Sequence, residues 1–492
     1  MSSAINPPPL WVQNGQLTRQ AQEILGALRR VEEFGLAGED FAGALAAIVS
    51  SEGKPSESAR LNELMNGAAL RLVTQLHYGR VDPRTAGYAL NRRRAPLDGV
   101  AALQSLAVAG NTLELLATFE PRSAQYRALE KALGLYRRIR TDLSSLPVTS
   151  TIRAGDFYLG AEKLRSLLAE LGDAPAPRDA VAVAESVYDP DLVAAVTNFQ
   201  RRHGLEADGV LGARTFAALT VPIGQRVRQI ELTLERWRWL PDIEPPAVIV
   251  NVPQYMLYAL PDPADRSTGS QPIQIPVIVG QAARQTPVFD SAIESVIFRP
   301  FWDVPRSIVR EELLPLISRD LGYLSRHEME IVRGGGNDAQ VLAANAASVA
   351  ALRDGSARLR QRPGLANALG LIKFVFPNPY SVYLHSTHEA QLFSRERRAF
   401  SHGCIRVSDA NALAAYLLEE TPGDWSADAI ETATCGANTF TVRLARPVPV
   451  FILYGTVVVD PDGAVLFFDD VYGYDRRLDA LLAASRRTDR DE

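Results

Sequence analysis

The chemically richest part of the chain is residues 382–407, which hold three of the six histidines and one of the two cysteines. A cysteine attacks as its thiolate, and an unperturbed thiol with a pKa near ~8.5 supplies little thiolate at neutral pH. A nearby imidazole or cation lowers that pKa. Cys404 has His402 two residues before it and Arg406 two residues after it. We therefore expect covalent chemistry at Cys404, with His385 reaching it from the end of a predicted strand.

The residues next to Cys404 also predict a site for a developing negative charge. Gly403 lets the backbone turn tightly and expose its N–H groups, and one such donor stabilises a tetrahedral oxyanion by roughly 3–4 kcal/mol. Ser408 and Asp409 predict the start of a helix that runs to about Glu419. The positive end of that helix would favour an anionic sulfur.

Three other interpretations of this cluster stay open. Four of its side chains are zinc-compatible ligands by type: His385, His388, His402 and Cys404. We disfavour a metal, because residues three apart in a strand point to opposite faces and no acidic base stands in a metalloprotease motif. A disulfide between Cys404 and Cys435 would silence the nucleophile. In the third interpretation Cys404 and the histidines are packed side chains without a chemical role.

The residues around the cluster have the pattern of a β-rich domain. Apolar residues alternate from Pro245 onward, and the strand candidates are 247–260, 273–279, 291–298, 371–376, 381–385, 440–444 and 450–459. An insertion over 304–370 contains helical stretches, an alanine-rich segment and the glycine run 334–336. A long, partly irregular insertion is typical of a lid over a site.

The residues before this domain are predicted to be helical. Leucine and alanine recur at three- and four-residue spacing over 20–34, 59–76 and 127–143. A separate small module follows, in which Asp189 and Pro190 predict the start of a helix with Leu192, Val196 and Phe199 on one face. The predicted division is 1–151 helical, 152–221 the module, 222–244 a linking helix, 245–470 the β-rich domain and 471–492 a tail.

Composition excludes several classes of protein. The 492 residues suggest roughly three domains. Apolar residues make up 47% and charged residues 22%, which is ordinary for a globular protein and excludes collagen and disordered tails. The net charge of −5 gives no global argument for nucleic acid. No apolar run is long enough to span a membrane, and Met1–Leu10 has no export signal.

The module resembles the peptidoglycan-binding domain that many cell-wall enzymes carry. The resemblance rests on its Phe-Gln…His-Gly-Leu…Asp-Gly…Gly…Thr pattern, within AVTNFQRRHGLEADGVLGARTFAAL, and covers about 70 residues. It implies that the partner is peptidoglycan, with both its stem peptides and its glycan. The alternative is that these residues only form turns and core.

The cysteine segment resembles the active-site signature of L,D-transpeptidases with a YkuD-type catalytic domain. The motif SHGCIRV carries the resemblance, with YLHSTHEAQLF before it. Further blocks resemble the large murein subfamily of Gram-negative bacteria: RVRQIELTLERWRWLPD, IVNVPQYMLYAL, ALGLIKFVFPNPYSVYLHST and DPDGAVLFFDDVYGYD. The resemblance implies a multidomain α+β protein, with a helical scaffold, a three-helix peptidoglycan-binding module and a β-rich L,D-transpeptidase catalytic domain with a lid insertion.

The resemblance also implies roles for individual residues. Cys404 would be the nucleophile, and His385 would move the protons. Ser386, or a backbone carbonyl near it, would orient the imidazole. The remaining candidates are the N–H groups of His402, Gly403 and Cys404 as oxyanion donors and, as substrate-binding side chains, Arg406, Tyr383 and Trp302.

The activity implied is a 3–3 cross-link between peptidoglycan stems, made through a cysteine thioester without cofactor or metal. Carbapenems would acylate the same cysteine. The alternatives are an L,D-carboxypeptidase or hydrolase that uses the same cysteine, and a wall-binding protein without activity. Because peptidoglycan lies outside the inner membrane, the resemblance implies a periplasmic protein, and we expect a leader upstream of this sequence in the full gene product.

Overall fold

The computed structural model describes residues 10–13, 15–140, 146–147, 150–174, 186–262 and 272–491, with side chains through residue 485. The predictions for Met1–Leu10 and for the end of the helix over 127–143 fall mostly outside these residues. By its internal contacts the chain divides into two units. One comprises Met1–Ile243 with Tyr454–Glu492, and the other comprises Glu244–Leu453.

The first unit begins with helices whose apolar stripes face one core. Thr18 caps the first helix by accepting a hydrogen bond from the Ala21 N–H, and Ile24 and Leu28 are buried on its inner face. The predicted helices are confirmed here, with bounds that differ by a few residues. The elements are β1 Val12–Gln13, β2 Gln16–Leu17, α1 Arg19–Arg29, α2 Glu39–Ser51, α3 Ser58–Tyr78, α4 Gly99–Ala107, α5 Thr112–Ala117 and α6 Ala124–Tyr136.

The small module has three helices around its own core, followed by a longer helix. Asp189 caps the second of them, Pro190 is its first residue, and Leu192, Val196 and Phe199 are buried, so the sequence prediction is confirmed. The helices are α7 Ala161–Glu170, α8 Pro190–Arg202, α9 Ala213–Leu219 and α10 Ile223–Arg238.

The buried Arg202 guanidinium forms an ion pair inside this module and also hydrogen-bonds to the rest of the first unit. The Arg202 guanidinium donates from Nε to Asp173 Oδ1 at 2.6 Å and from Nη2 to Asp173 Oδ2 at 2.5 Å. Its Nη1 donates to the Tyr136 hydroxyl and to the Val465 carbonyl, each at 3.0 Å. A buried charge is tolerated when it is paired and hydrogen-bonded in this way.

The second unit is built on a nine-stranded sheet in the order β13-β5-β14-β12-β11-β6-β15-β3-β4, which closes on itself because β4 also pairs with β5. The single strand predicted over 247–260 is instead the hairpin β3–β4, because the chain turns at 252–255 and Tyr255 has φ 57°. The strands of the unit are β3 Ala247–Asn251, β4 Met256–Leu260, β5 Ile273–Gly280, β6 Phe289–Phe298, β7 Trp302–Asp303, β8 Met329–Arg333, β9 Gln340–Val341, β10 Arg358–Gln361, β11 Ile372–Val375, β12 Leu384–His385, β13 Ala399–Ser401, β14 Ile405–Val407 and β15 Phe440–Leu453.

The insertion over 304–370 is a folded subdomain, which we call the cap. It has a four-stranded sheet, β7-β10-β8-β9, and a hydrophobic core that includes Ile317 and Leu359. The expectation of a partly irregular segment is therefore corrected, since the apolar residues of its helices cover one face of this sheet. The helices are α11 Arg306–Ile308, a π-helical turn Val309–Leu313, α12 Leu314–Arg319, α13 Gly322–Arg326 and α14 Ala346–Asp354.

Two helices follow the cysteine segment. Asp409 caps α15 (Ala410–Leu418) by accepting from the Ala412 N–H, which confirms the predicted helix start. The second helix is α16 (Ala427–Cys435), and Cys435 is exposed at its end.

The last part of the chain returns to the first unit. The hairpin β16 (Val457–Val459) and β17 (Val465–Phe467) packs its apolar side chains with α6 and α10, and α17 (Tyr474–Asp491) ends the chain. The second unit thus ends at Leu453, earlier than the predicted boundary at 470, because the hairpin's valines belong to the other core. Among the described residues no helix is long and apolar enough to cross a membrane.

Removal of Asp173 tests the buried ion pair. We expect Asp173→Ala to leave the Arg202 guanidinium unpaired at a cost of about 3–5 kcal/mol. Hydrogen–deuterium exchange of the α8 amides should then accelerate by about two orders of magnitude or more. Asp191→Ala removes an exposed carboxylate from the first turn of α8 and is the control, with an expected cost below about 1 kcal/mol. Equal exchange in the two variants would contradict this role.

Candidate active site

Three neighbouring strands place the reactive side chains in rows across the sheet. β12 pairs with β11 on one side and, in parallel, with β14 on the other, so that Lys373, His385 and Arg406 stand in register. Two residues before that row, Tyr383 lies beside Cys404, and the Ile405 N–H donates to the Tyr383 carbonyl at 3.1 Å. Because side chains alternate along a strand, all five groups belong to the same face.

The His385 ring is held in one tautomer by a backbone carbonyl. Its Nδ1 lies 2.5 Å from the Ser386 carbonyl oxygen, which can only accept, so Nδ1 carries the proton and Nε2 has a free lone pair. Burial, and next the charge of Arg406, lower the pKa of His385 to about 3. The neutral ring therefore stabilises the fold fully above about pH 6.5, and this contribution is lost as the pH falls towards 3.

The side chain of Ser386 has a different task from its carbonyl. The hydroxyl accepts from the Leu371 N–H at 2.7 Å and from the Ile372 N–H at 2.9 Å. Gly370, at φ 62°, lies so close that a Cβ there would stand 2.7 Å from the Thr387 nitrogen. From the sequence, either the Ser386 hydroxyl or a nearby backbone carbonyl was expected to orient His385. In the structure the Ser386 carbonyl contacts the imidazole, whereas the hydroxyl holds the backbone at the start of β11.

Cys404 is half-buried, with its sulfur 3.8 Å from the Ser381 carbonyl oxygen as a thiol donor. Burial raises its pKa, although the Tyr383 amide and phenol and the charge of Lys373 act in the opposite direction. The sequence argument expected a lowered pKa, and the difference arises because desolvation outweighs the cations. In the described structure neither Cys404 Sγ nor His385 Nε2 makes a hydrogen bond to the other.

Tyr383 links several of the predicted residues. Burial and the neighbouring Cys404 raise its pKa well above the usual value, while an interaction with Trp302 acts against this rise. The ring centroids of Tyr383 and His385 are 5.7 Å apart. The structure therefore brings Trp302, Tyr383, His385 and Cys404 together.

The turn before Cys404 is held by two hydroxyl groups. Gly403 has φ 115°, which favours glycine, and its carbonyl accepts from Thr286 Oγ1 at 2.9 Å. Ser401 Oγ donates to the Cys404 carbonyl at 2.5 Å and accepts from the Gly403 N–H at 3.1 Å. The Gly403 N–H was expected to face the oxyanion, but in this structure it is occupied by Ser401.

The side chain of His402 points to the cap rather than to the sulfur. Its Nε2 lies 2.9 Å from Glu312 Oε1. Arg284 donates to Glu312 at 2.7 Å and to Glu311 at 2.8 Å. Although His402 is only two residues from Cys404, its side chain does not face the sulfur, because the turn at Gly403 interrupts the extended backbone.

The other residues named from the sequence are Arg406, His388 and the two cysteines. Arg406 forms an ion pair with Glu389, and His388 is exposed. Cys404 and Cys435 are both free thiols. Within the described ranges, no group of three or more His, Cys, Asp or Glu side chains is arranged to hold a metal ion.

Comparison with known proteins identifies this region. Residues 245–430 match the model of the YkuD family, described as "L,D-transpeptidase catalytic domain". This part of the chain is therefore similar to the catalytic domains of the YkuD family. Residues 3–133 match a "Scaffold domain", and residues 160–219 match a "Putative peptidoglycan binding domain".

A curated relative is similar over part of its length. The "Putative L,D-transpeptidase" of Haemophilus influenzae is 32% identical over 251 residues, which are 51% of this chain and 49% of that protein. The chain thus spans about half the length of the curated relative that it matches.

Several residues that shape this candidate site were not predicted as site residues. Lys373, Thr286, Glu389 and Glu312 reach the cluster through the sheet or from the cap. Lys373 is the only lysine of the second unit, and this is the one signal that could have drawn attention to it.

The tautomer of His385 can be tested by NMR. In protein with labelled histidine, long-range proton–nitrogen spectra should show Nδ1–H and an unprotonated Nε2, with no titration between pH 8 and pH 5, because burial disfavours the imidazolium. His385→Gln assigns the signal. A ring that titrates near pH 6.5, or that carries its proton on Nε2, would contradict the assigned geometry.

The Thr286 tether can be tested with an isosteric change. Thr286→Val leaves the Gly403 carbonyl and the Gly280 N–H, which donates to Thr286 Oγ1 at 2.8 Å, without this partner. We expect a loss of about 1–3 kcal/mol in the free energy of unfolding of the catalytic domain and slower alkylation of Cys404. Thr432→Val, at an exposed site where the hydroxyl bonds within α16, is the matched control. Similar losses in both variants would argue against the tether.

Proposed function

We propose that the protein is a cysteine-dependent peptidoglycan L,D-transpeptidase that forms 3–3 cross-links. The donor is a tetrapeptide stem whose third residue, meso-diaminopimelate, is followed by a terminal D-alanine. The acceptor is the side-chain amine of diaminopimelate in a second stem. The proposal needs neither a cofactor nor a metal.

In the first half-reaction the Cys404 thiol passes its proton to His385 Nε2, and the sulfur attacks the carbonyl of the third residue. The backbone N–H of Cys404 is the donor that we place against the resulting oxyanion, since the Gly403 N–H is bonded to Ser401 in the resting structure. When the tetrahedral intermediate collapses, the carbon–nitrogen bond breaks and the imidazolium protonates the departing amine of D-alanine. A thioester remains.

In the second half-reaction the acceptor amine attacks the thioester and gives its proton to His385. The carbon–sulfur bond breaks, an amide forms between the two stems, and the sulfur recovers a proton from the imidazolium. The thioester stores the free energy of the cleaved amide, so no ATP is consumed. Water in place of the amine would give a shortened stem, which is the carboxypeptidase alternative.

One observation carries this proposal: a neutral imidazole, with its free Nε2 fixed by the Ser386 carbonyl, stands on the strand next to Cys404 in a YkuD catalytic domain. A base must be unprotonated to accept the thiol proton, and the lowered pKa of His385 keeps it so at neutral pH. The raised pKa of Cys404 is compatible with attack, because the proton can leave as the sulfur reacts.

The remaining assignments follow from the same proposal. Arg406, Tyr383 and Trp302 would contact the stem peptide, and the module at 160–219 would bind the wall. A carbapenem would acylate Cys404, since a strained β-lactam carbonyl presents the same electrophile. Because its substrate lies outside the inner membrane, we place the protein in the periplasm.

Mass analysis of the products tests the activity. The protein is incubated with purified disaccharide-tetrapeptide, and we expect a cross-linked dimer together with free D-alanine. Cys404→Ala should lower the rate by at least about a thousandfold, because it removes the nucleophile. The matched control is Cys435→Ala, which removes the other, exposed cysteine and should leave the rate unchanged.

The other outcomes distinguish the alternatives. A shortened monomer without dimer would indicate a carboxypeptidase that uses the same cysteine. An unchanged substrate, together with no carbapenem adduct on intact protein, would leave only the wall-binding function. Activity that survives in Cys404→Ala would overturn the assigned nucleophile.

A further inference from the structure

Lys373 stands at the centre of the reactive face. It pairs in register with His385, and its Nζ lies 3.9 Å from the centroid of the Tyr383 ring. Tyr383 in turn lies beside Cys404. No carboxylate among the residues that the structure describes forms an ion pair with Lys373, and its ammonium group lies against the face of the Tyr383 ring.

The other cation of the same row is neutralised. Arg406 flanks His385 on the opposite strand, but it forms an ion pair with Glu389. Two cations thus border the imidazole, and only one of them keeps an uncompensated charge. Besides His385, Cys404 and the two cations, the remaining titratable group on this face is the Tyr383 phenol, whose raised pKa keeps it neutral.

An ammonium group that is half-buried without a counter-charge is costly. Burial lowers the pKa of Lys373, and the interaction with Cys404 acts in the opposite direction. The same interaction favours the anionic form of the sulfur. The two groups therefore stabilise each other only when the lysine is charged and the sulfur has lost its proton.

We propose that Lys373, seated on the face of Tyr383, is the counter-charge of the Cys404 thiolate, and so sets how readily this cysteine ionises. It acts as a positioning residue, because it works through the sulfur and the Tyr383 ring. This inference rests on the proposed function in one respect, the choice of Cys404 as the nucleophile. It adds that the cation needed for ionisation comes from β11 rather than from Arg406 in the cysteine motif.

The same arrangement explains the state of His385. With Lys373 on one side and Arg406 on the other, an imidazolium between them is disfavoured by like charges as well as by burial. Lys373 thus favours the thiolate form of Cys404 and disfavours the imidazolium form of His385. A proton that reaches His385 is then passed on readily to the departing amine.

The test measures thiol ionisation without any peptidoglycan. In a Cys435→Ala background, the rate at which iodoacetamide alkylates Cys404 is followed by intact mass from pH 6 to pH 11. Lys373→Met should shift the profile to higher pH and slow alkylation at pH 7 by about tenfold or more, as expected for the loss of one nearby charge. Lys373→Arg keeps the charge and should stay within about threefold of the parent rate.

The matched control is Arg443→Met, which removes an exposed cation from β15 of the same unit and should leave the profile in place. Lys373→Gln provides a second neutral variant if Lys373→Met does not fold, as judged by circular dichroism. A profile that does not move in either neutral variant would overturn the inference. So would an equal slowing in Lys373→Arg without a pH shift, since that result indicates packing alone.

The outcome is separable from that of the proposed function. If Lys373→Met shifts the thiol profile while the parent protein makes no cross-link, the proposed activity fails and the inference stands. If the parent makes cross-links and its profile does not depend on Lys373, the inference alone fails.

Discussion

The parallel pairing of β12 with β14 is the constraint on which the catalytic unit depends. It sets Tyr383 beside Cys404 and His385 beside Arg406, and the antiparallel pairing with β11 extends the second row to Lys373. A shift of β12 by one residue would turn Tyr383 and His385 to the opposite face, away from Lys373, Cys404 and Arg406. The closed sheet fixes this register, because β5 and β6 hold β14 and β11 from the outer sides.

Within that register, desolvation and charge act against each other at Cys404 and in the same direction at His385. Burial favours the neutral forms of both Cys404 and His385, and the nearby cations favour the anionic sulfur and the neutral ring. The resting pair is therefore a thiol and an imidazole rather than an ion pair. One pKa unit corresponds to about 1.4 kcal/mol, so a change of that size in the interaction of one charge with the sulfur changes its ionisation tenfold.

Local signals in the sequence predicted local structure well. Asp189 with Pro190 and Asp409 each start a helix because a cap is decided within four residues. Cys404 and His385 were predicted to share a site because a histidine at a strand end can face a neighbouring strand. The change of period near residue 245 lies beside Glu244, where the second unit begins. That unit ends at Leu453, because Val457 and Val465 pack against distant helices, and such packing leaves no local trace in the sequence.

The finer geometry depends on contacts that no spacing rule contains. Thr286 reaches Gly403 across 117 positions, and Glu312 reaches His402 across 90. The sign of the Cys404 pKa shift was also not predictable, because neighbouring residue types show which charges are present but not how much water the fold removes. The fold of the insertion was not predictable for the same reason, because its apolar residues form a core only when four short strands pair.

The protonated resting state of Cys404 has a consequence for its oxidation. Hydrogen peroxide converts cysteine to sulfenic acid through the thiolate, and the damage becomes irreversible at the sulfinic stage. Burial and the hydrogen bond to the Ser381 carbonyl favour the thiol, and so disfavour the form of Cys404 that reacts with such oxidants. The burial that opposes ionisation of the sulfur thereby also opposes its oxidation.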